Sequence, residues 1–360
     1  ARLCYALHAL RPEHVKEELF GRIYQESLPR ETRKNLGAFF TKPEAAALLA
    51  GLAIREWDDR VLDPACGSGT LLAEAYKVKW GKALEKFRDA NPRRLHETFL
   101  NEHLMGIDVM RFAKELSTAN LILQRPEVPV KPRIFQGDGV SKMCVLVSDI
   151  SKDPPEASVE NILELIEREV KEYEKLDLRS KKFDVVIMNP PFTRRENIPA
   201  SERSSLERMM GHIVRGKTGY WAYFFAAADQ VIRLGGRLAA VTPEEFFAGA
   251  AAESLRRYLF FREVYNPRKR IYEKCQGLQD NFKLRFVVKS AVEISFSEQA
   301  LYRDYLVVLQ KDPDGEPRTP TTYVILKKPL SELRDYDKIC GEILKFASGT
   351  LNSISTEFFD

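Results

Sequence analysis

Residues 183–192, FDVVIMNPPF, run from an apolar stretch straight into an amide, two prolines and an aromatic ring. Val185, Val186, Ile187 and Met188 have the composition of a buried strand. Pro190 and Pro191 remove two backbone donors and fix φ twice, so the strand must end there. The Asn189 amide, the Pro190 carbonyl and the Phe192 ring are then held in a stiff, extended rim. Three other places carry residues of matching interest. The turn DPACGSG, Asp63 to Gly69, puts Gly67 and Gly69 where a backbone can come close to a ligand, although any tight strand–helix turn could use such a pair. Cys66 within it reads as a small filler rather than a nucleophile, since no His lies nearby in sequence. Asp108 closes LMGID and could accept both hydroxyls of a ribose, as acidic residues at dinucleotide sites do. Its distance from the glycine turn exceeds the usual roughly 20 residues, so 74–103 must hold an inserted helix. Asp138, between two glycines, could accept from an exocyclic amine or be an ordinary Asp-Gly turn.

The elements that must position these residues follow from periodicity. Val15, Leu19, Phe20, Ile23, Tyr24 and Leu28 stand at helical spacing and predict a docked N-terminal helix. LGAFFTKPEAAALLA (36–50) reads as a Gly-containing loop and an Ala-rich helix begun at Pro43. RVLDPACGSGTLLAEAY is strand, turn and helix, and LMGIDVMRFAKELSTANLIL repeats that order. RIFQGDG, KFDVVIM and GGRLAAVTP add strands, with a helix near Tyr220–Arg233. Strands alternating with helices predict an α/β fold, a doubly wound and mostly parallel sheet with helices on both faces. In such sheets ligands bind at the carboxyl ends of the strands. Asp63, Asp108, Asp138 and Asn189 all fall at or just beyond such ends. An amphipathic insertion is expected at 151–182 and a basic, turn-rich loop at 264–283. Strands over 286–296 and 303–310 could pair as a hairpin at the sheet edge. KDPDGEPRTPTT (311–322) reads as a break.

Composition bounds the function classes. With 360 residues, 44% hydrophobic and 30% charged, the chain reads as a soluble globular protein of one large domain with appendages, or two domains. No run of about 18 apolar residues exists, so no membrane span is expected. No signal-peptide pattern is present, and an opening Ala rather than Met suggests that the sequence starts inside a longer protein. Five scattered cysteines imply a reducing, cytoplasmic setting, and no Cys/His cluster argues for a metal. The net charge of +4 permits a nucleic-acid partner without requiring one. Residues 256–274 hold seven Lys/Arg against two Glu with aromatics interleaved, and 193–217 hold six against three. Such segments suit phosphates and unstacked bases; they could equally be a solvated basic face.

The ordered set LGAFFTKP, VLDPACGSG, MGIDVM, QGDG and NPPF resembles the amino-methyltransferases of DNA, S-adenosylmethionine enzymes acting on the exocyclic amine of adenine or cytosine. Within them it is similar to the modification subunits of type I restriction systems and the methylase part of fused restriction–modification enzymes. The resemblance covers roughly residues 20–310. It implies a seven-stranded Rossmann-like methyltransferase domain over 36–310, with insertions near 74–103, 151–182 and 264–283. A helical segment (1–35) precedes it, and an extension or the start of a further domain (311–360) follows. It implies S-adenosylmethionine as cofactor, with Phe39, Phe40 and Thr41 beside its methionine end and the turn of Asp63, Pro64, Ala65, Cys66, Gly67 and Gly69 beneath it. Asp108 would take the ribose hydroxyls and Asp138 the cofactor's adenine amine. Asn189, Pro190, Pro191 and Phe192 would be catalytic, with the Asn189 side-chain oxygen and Pro190 carbonyl accepting the hydrogens of the target amine and Phe192 stacking on the extruded base. Phe296 is the candidate second aromatic wall. Relatives often have Thr-Pro after the paired aromatics; here Lys42 stands in that place, which predicts a looser loop.

The implied partners are double-stranded DNA, a separate specificity subunit or further recognition domain, and a nuclease partner. The implied reaction is methylation at adenine N6 within a restriction–modification system. Three alternatives stand beside it: methylation at cytosine N4, action on RNA or a protein glutamine by the related NPP-aromatic enzymes, and a cofactor-binding assembly subunit. The chemistry fits the rim. An exocyclic amine is a poor nucleophile, and two fixed acceptors favour its pyramidal form and stabilise the positive charge that develops on it.

Overall fold

A computed structural model describes residues 40–148, 183–275, 280–298, 302–313 and 320–350. The expected N-terminal helix, Phe39 and the 151–182 insertion lie outside the described residues. Three-residue β1 (Val61–Asp63) and β2 (Leu104–Asp108), β3 (Arg133–Gln136), β4 (Phe183–Met188) and β5 (Ile232–Pro243) run parallel. Along β4, Val185 and Ile187 enter one core, whereas Phe183, Val186 and Met188 enter the other. That alternation is what a pleated strand covered on both faces requires.

One core packs under α1 (Pro43–Ala53) and α2 (Thr70–Lys86). Helix α1 starts with Pro at its first turn, where the missing N–H costs nothing. A short α3 (Pro92–Thr98) and α4 (Arg111–Ile122) lead into and out of β2. The other core gathers α5 (Gly139–Ser148), α6 (Ala200–Met210), α7 (Trp221–Val231) and α8 (Glu253–Phe261) around Trp221, Phe224, Phe225 and Phe246. The doubly wound, mostly parallel α/β architecture is as the sequence predicts.

Three expectations need correction. Residues 264–283 are not a loop: β6 (Glu263–Asn266) and β7 (Ile271–Lys274) form a small antiparallel hairpin. Strands β8 (Asp280–Ser290) and β9 (Asp304–Pro313) do pair antiparallel, but β9 inserts next to β5 and the pair is not the sheet edge. The edge is β10 (Thr322–Leu326), parallel to β8, so the sheet has eight strands rather than seven, in the order β3-β2-β1-β4-β5-β9-β8-β10. After it α9 (Tyr336–Ala347) lies on α1, with Cys340 so near Gly51 that a side chain there would collide with its sulfur. No helix among the described residues is long and apolar enough to cross a membrane.

Strand β1 sits between β2 and β4, so the chain order reverses beside it. Such a reversal opens a crevice at the carboxyl ends of the strands. The two turns that leave β1 and β4 there are DPACGSG and NPPF.

The antiparallel side of the sheet is locked to α7 by buried charge. Asp229 accepts from both guanidinium nitrogens of Arg262 (2.7 and 2.9 Å) and from the Tyr258 hydroxyl (2.6 Å), and Lys311 lies 2.8 Å away. Arg262 adopts a left-handed φ of 52° at the end of α8, and these bonds hold it there. Burial would raise the Asp229 pKa, but Arg262 and Lys311 outweigh it and hold the carboxyl down to about 2. A depressed carboxyl stabilises the fold above its unfolded value and loses that contribution as pH falls through its folded value. Asp229→Asn should therefore lower the unfolding free energy by about 3 kcal/mol at pH 7. In denaturant titrations the gap from wild type should narrow as pH drops from 3.8 towards 2.

Candidate functional site

The turn after β1 is built for close approach. Gly67 and Gly69 have φ of 52° and 82°, a region that side chains rarely tolerate. A Cβ on Gly67 would touch the Phe40 ring at 3.7 Å, so Phe40 covers the turn. Asp108, at the end of neighbouring β2, pins the turn from the side: one carboxylate oxygen accepts from Gly67 N–H and the other from Met110 N–H, each at 2.9 Å. Burial raises its pKa against those two donors. Each oxygen keeps a second acceptor direction. Cys66 is buried, with Ser117 donating to its sulfur at 3.4 Å, and burial pushes its thiol well up. It is a filler.

Asp63 is the unusual member. It is 1% exposed; one oxygen accepts from Ala65 N–H at 3.1 Å, while the other is buried with no hydrogen-bond partner among the described residues. Burial, with the Asp108 charge adding to it, raises its pKa well above the carboxylate range. A buried carboxylate oxygen in that condition calls for a cationic donor.

Asp138 opens α5, accepting from Ser141 N–H at 2.8 Å, and its other oxygen accepts from the Tyr220 hydroxyl at 2.7 Å. The following Gly139 is obligatory, because a Cβ there would stand 2.0 Å from the Pro64 carbonyl oxygen. Asp63, Asp108 and Asp138 are thus tied to one turn by their own loops.

The turn after β4 meets two distant segments. The Asn189 amide nitrogen donates to Thr41 Oγ at 3.0 Å and to Ser297 Oγ at 3.1 Å. Thr41 and Ser297 also pair as an antiparallel bridge. Lys42 N–H donates to the Phe296 carbonyl at 3.0 Å, and Glu298 N–H to the Phe40 carbonyl at 2.7 Å. Lys42 also pairs with Glu293 at 2.8 Å. The loop expected to be looser is held by a backbone donor that a proline could not supply. Pro190 is buried, and Pro191 and Phe192 are partly so.

Phe296 does not form the second aromatic wall: its ring is 1% exposed inside the core under α1. The aromatic beside Phe192 is Tyr302, edge-on with ring centroids 5.3 Å apart. Tyr302, Tyr220 and Ser297 belong to no motif read from the sequence. The only hint was their placement, just before the antiparallel strand β9 or just before α7.

The basic segment 256–274 is largely internal. Arg262 is buried against Asp229 and Asp280, Arg257 pairs with Glu253 and Glu263, and Lys269 with Glu273. Arg256 donates to carbonyls of 245, 246 and 249. Arg268 and Arg270 stand exposed at the tip of the β6–β7 hairpin. In 193–217, Arg195 pairs with Glu207 and Arg215 lies 3.4 Å over the Tyr265 ring, whereas Arg194, Arg208 and Lys217 are exposed.

Comparison with known proteins adds three findings. Residues 102–268, just under half of the chain, match the Eco57I restriction-modification methylase family. The chain is 31% identical over 150 residues to the adenine-specific methyltransferase BrxX of Escherichia coli O9:H4 (strain HS), a match covering 39% of this chain and 12% of that protein. To the type II methyltransferase M.VspI of Vibrio sp. (strain 343) it is 25% identical over 278 residues, covering 75% of this chain and 53% of the relative. The chain therefore spans about half the length of the second relative and far less of the first. A solved structure from Listeria monocytogenes, put forward as a class I S-adenosylmethionine-dependent methyltransferase, matches with a TM-score of 0.52 at 15% identity over 95% of this chain and 83% of that one. At that identity the likeness is one of fold. In sequence this chain is similar to the methylases of restriction–modification systems, and its fold is that of the S-adenosylmethionine-dependent methyltransferases.

Proposed function

We propose that this chain methylates the exocyclic N6 amine of an adenine turned out of double-stranded DNA, as the methylase part of a restriction–modification system in the cytoplasm. The observation that carries the reading is the orientation of Asn189. Its nitrogen is engaged by Thr41 and Ser297, so its oxygen turns to the opposite side, the side an incoming amine would use. The Pro190 carbonyl adds a second acceptor, and the proline pair fixes both.

S-adenosylmethionine supplies, when bound, the methyl group on its positively charged sulfur. The residues present fit it. The orphaned Asp63 oxygen suits the ammonium of its methionine end, beside Phe39, Phe40 and Thr41. The left-handed glycines leave the turn bare beneath it, Asp108 faces the ribose, and Asp138 the adenine amine.

The target amine donates its two hydrogens to Asn189 Oδ1 and the Pro190 carbonyl oxygen. Both acceptors draw the nitrogen lone pair out of the ring and stabilise the charge that grows on nitrogen as it attacks. Phe192, braced edge-on by Tyr302, offers a face for the extruded base. Adenine is favoured by the phenylalanine form of the tetrapeptide and by the adenine-specific relative. A further domain or a separate specificity subunit reads the DNA sequence, and cleavage belongs to a nuclease partner; the limited share of its relatives that the chain spans supports this division.

Asn189→Ala should lower methyl transfer to unmodified DNA roughly 100- to 1,000-fold, the loss seen when one preorganised polar group is removed from a transition state. Transfer by the variant at the wild-type rate would refute the role of this amide. Asp63→Asn should weaken S-adenosylmethionine binding by roughly 10- to 100-fold in calorimetric titration, the range of a hydrogen bond to a charged group. The ligand-free variant should melt no lower than wild type, because it exchanges an uncompensated buried carboxylate for a neutral isostere.

A further inference from the structure

Asp304 opens β9 and belongs to none of the motifs, yet it is only 1% exposed. The segment Ser295–Ser297 folds around it. One carboxylate oxygen accepts from the Ser295 hydroxyl, and the other accepts from Phe296 N–H at 2.7 Å. Ser295 Oγ, its hydrogen committed to Asp304, accepts in turn from Ser297 N–H at 2.9 Å. The hydroxyl and amide of Ser297 also favour the ionised form. Burial pushes the carboxyl up to about 6 against these donors, so it is ionised at neutral pH.

An ionised carboxylate can only accept. It therefore dictates the direction of every hydrogen around it. The serine hydroxyls turn their hydrogens to Asp304, and the Ser297 oxygen is left to accept from the Asn189 amide nitrogen at 3.1 Å. Without that instruction a hydroxyl satisfies either end of an amide equally well, and the NH2 group could face the target amine in place of the oxygen.

We propose that Asp304 is a positioning residue that, through Ser297, sets which end of the Asn189 amide faces the target amine. The inference rests on the functional reading above for its consequence, but not for its geometry. An Asn at 304 would present a donor to the serine hydroxyls and reverse the chain of hydrogens.

The test compares wild type, Asp304→Asn and Ser297→Ala in methyl transfer to unmodified DNA, alongside the side-chain amide signal of Asn189 in 15N-resolved NMR. Asp304→Asn keeps the shape of the site. Ser297→Ala leaves the clamp of Asp304 on Ser295 and Phe296 intact, and decides the matter if the first variant folds poorly. Both should lose at least tenfold in kcat while KM for S-adenosylmethionine stays within twofold, and the Asn189 amide signal should move. A kcat within twofold of wild type, or an unmoved amide signal, would overturn the inference. If wild type itself transfers no methyl group to any DNA, the functional reading falls, and the amide signal alone decides the positioning.

Discussion

The NH2 group of Asn189, shared between the hydroxyls of Thr41 and Ser297, joins residues 148 and 108 positions apart in the chain. It is one donor group and two modest bonds, each contributing about 1 kcal/mol net. Its consequence is larger than its energy, because it fixes the direction of an acceptor. A misplacement of about 1 Å at such a centre can cost 100-fold in rate. The backbone around it is arranged accordingly: the Thr41–Ser297 bridge and the bonds from Lys42 to Phe296 and from Glu298 to Phe40 lay two segments side by side over the end of β4. Thr41 leads directly into α1, and Ser297 lies between β8 and β9. The amide is thus braced by both sides of the sheet.

The parallel sheet supplies the other half of the arrangement. Because β1 lies directly beside β4, with Leu62 opposite Val186, the glycine turn and the proline turn open at the same end of the same crevice. A methyl donor on one and an acceptor amine on the other would meet without any element having to move. Extruding a base costs a few kcal/mol, partly returned by stacking on an aromatic face. The edge-on contact of Tyr302 with Phe192 restrains that face before the base arrives. Preorganisation of this kind suits a reaction whose barrier is set by charge developing on one nitrogen.

Much of this was legible in the chain because strand ends are punctuated. Asp63, Asp108, Asp138 and Asn189 each follow a short apolar run and precede a Gly or Pro, and a parallel sheet brings such ends together wherever the loops lead. Residues whose role depends on irregular backbone were not legible. Phe296 and Ser297 are neighbours in a turn without regular alternation, so nothing in the sequence says which faces the core; the ring went inside and the hydroxyl went to the site. Arg262 looked like part of a basic surface because its partners, Asp229 and Asp280, lie 33 and 18 residues away. Lys42 looked like a loss of stiffness, although its backbone N–H makes a bond that the expected proline would forfeit. Residues after 311 read as a break, yet β10 joins the sheet and α9 covers α1, because an edge strand carries little periodic signal when only one of its faces is buried.

The most direct test of the central claim is transfer of a labelled methyl group from S-adenosylmethionine to unmodified double-stranded DNA, followed by digestion and identification of the labelled nucleoside. Label in N6-methyladenine is the expected result. Label in N4-methylcytosine would keep the chemistry of the Asn189 rim and contradict the assignment of the base. A protein that binds the cofactor and, supplied with the full chain and its specificity partner, labels no nucleoside would contradict DNA methylation altogether.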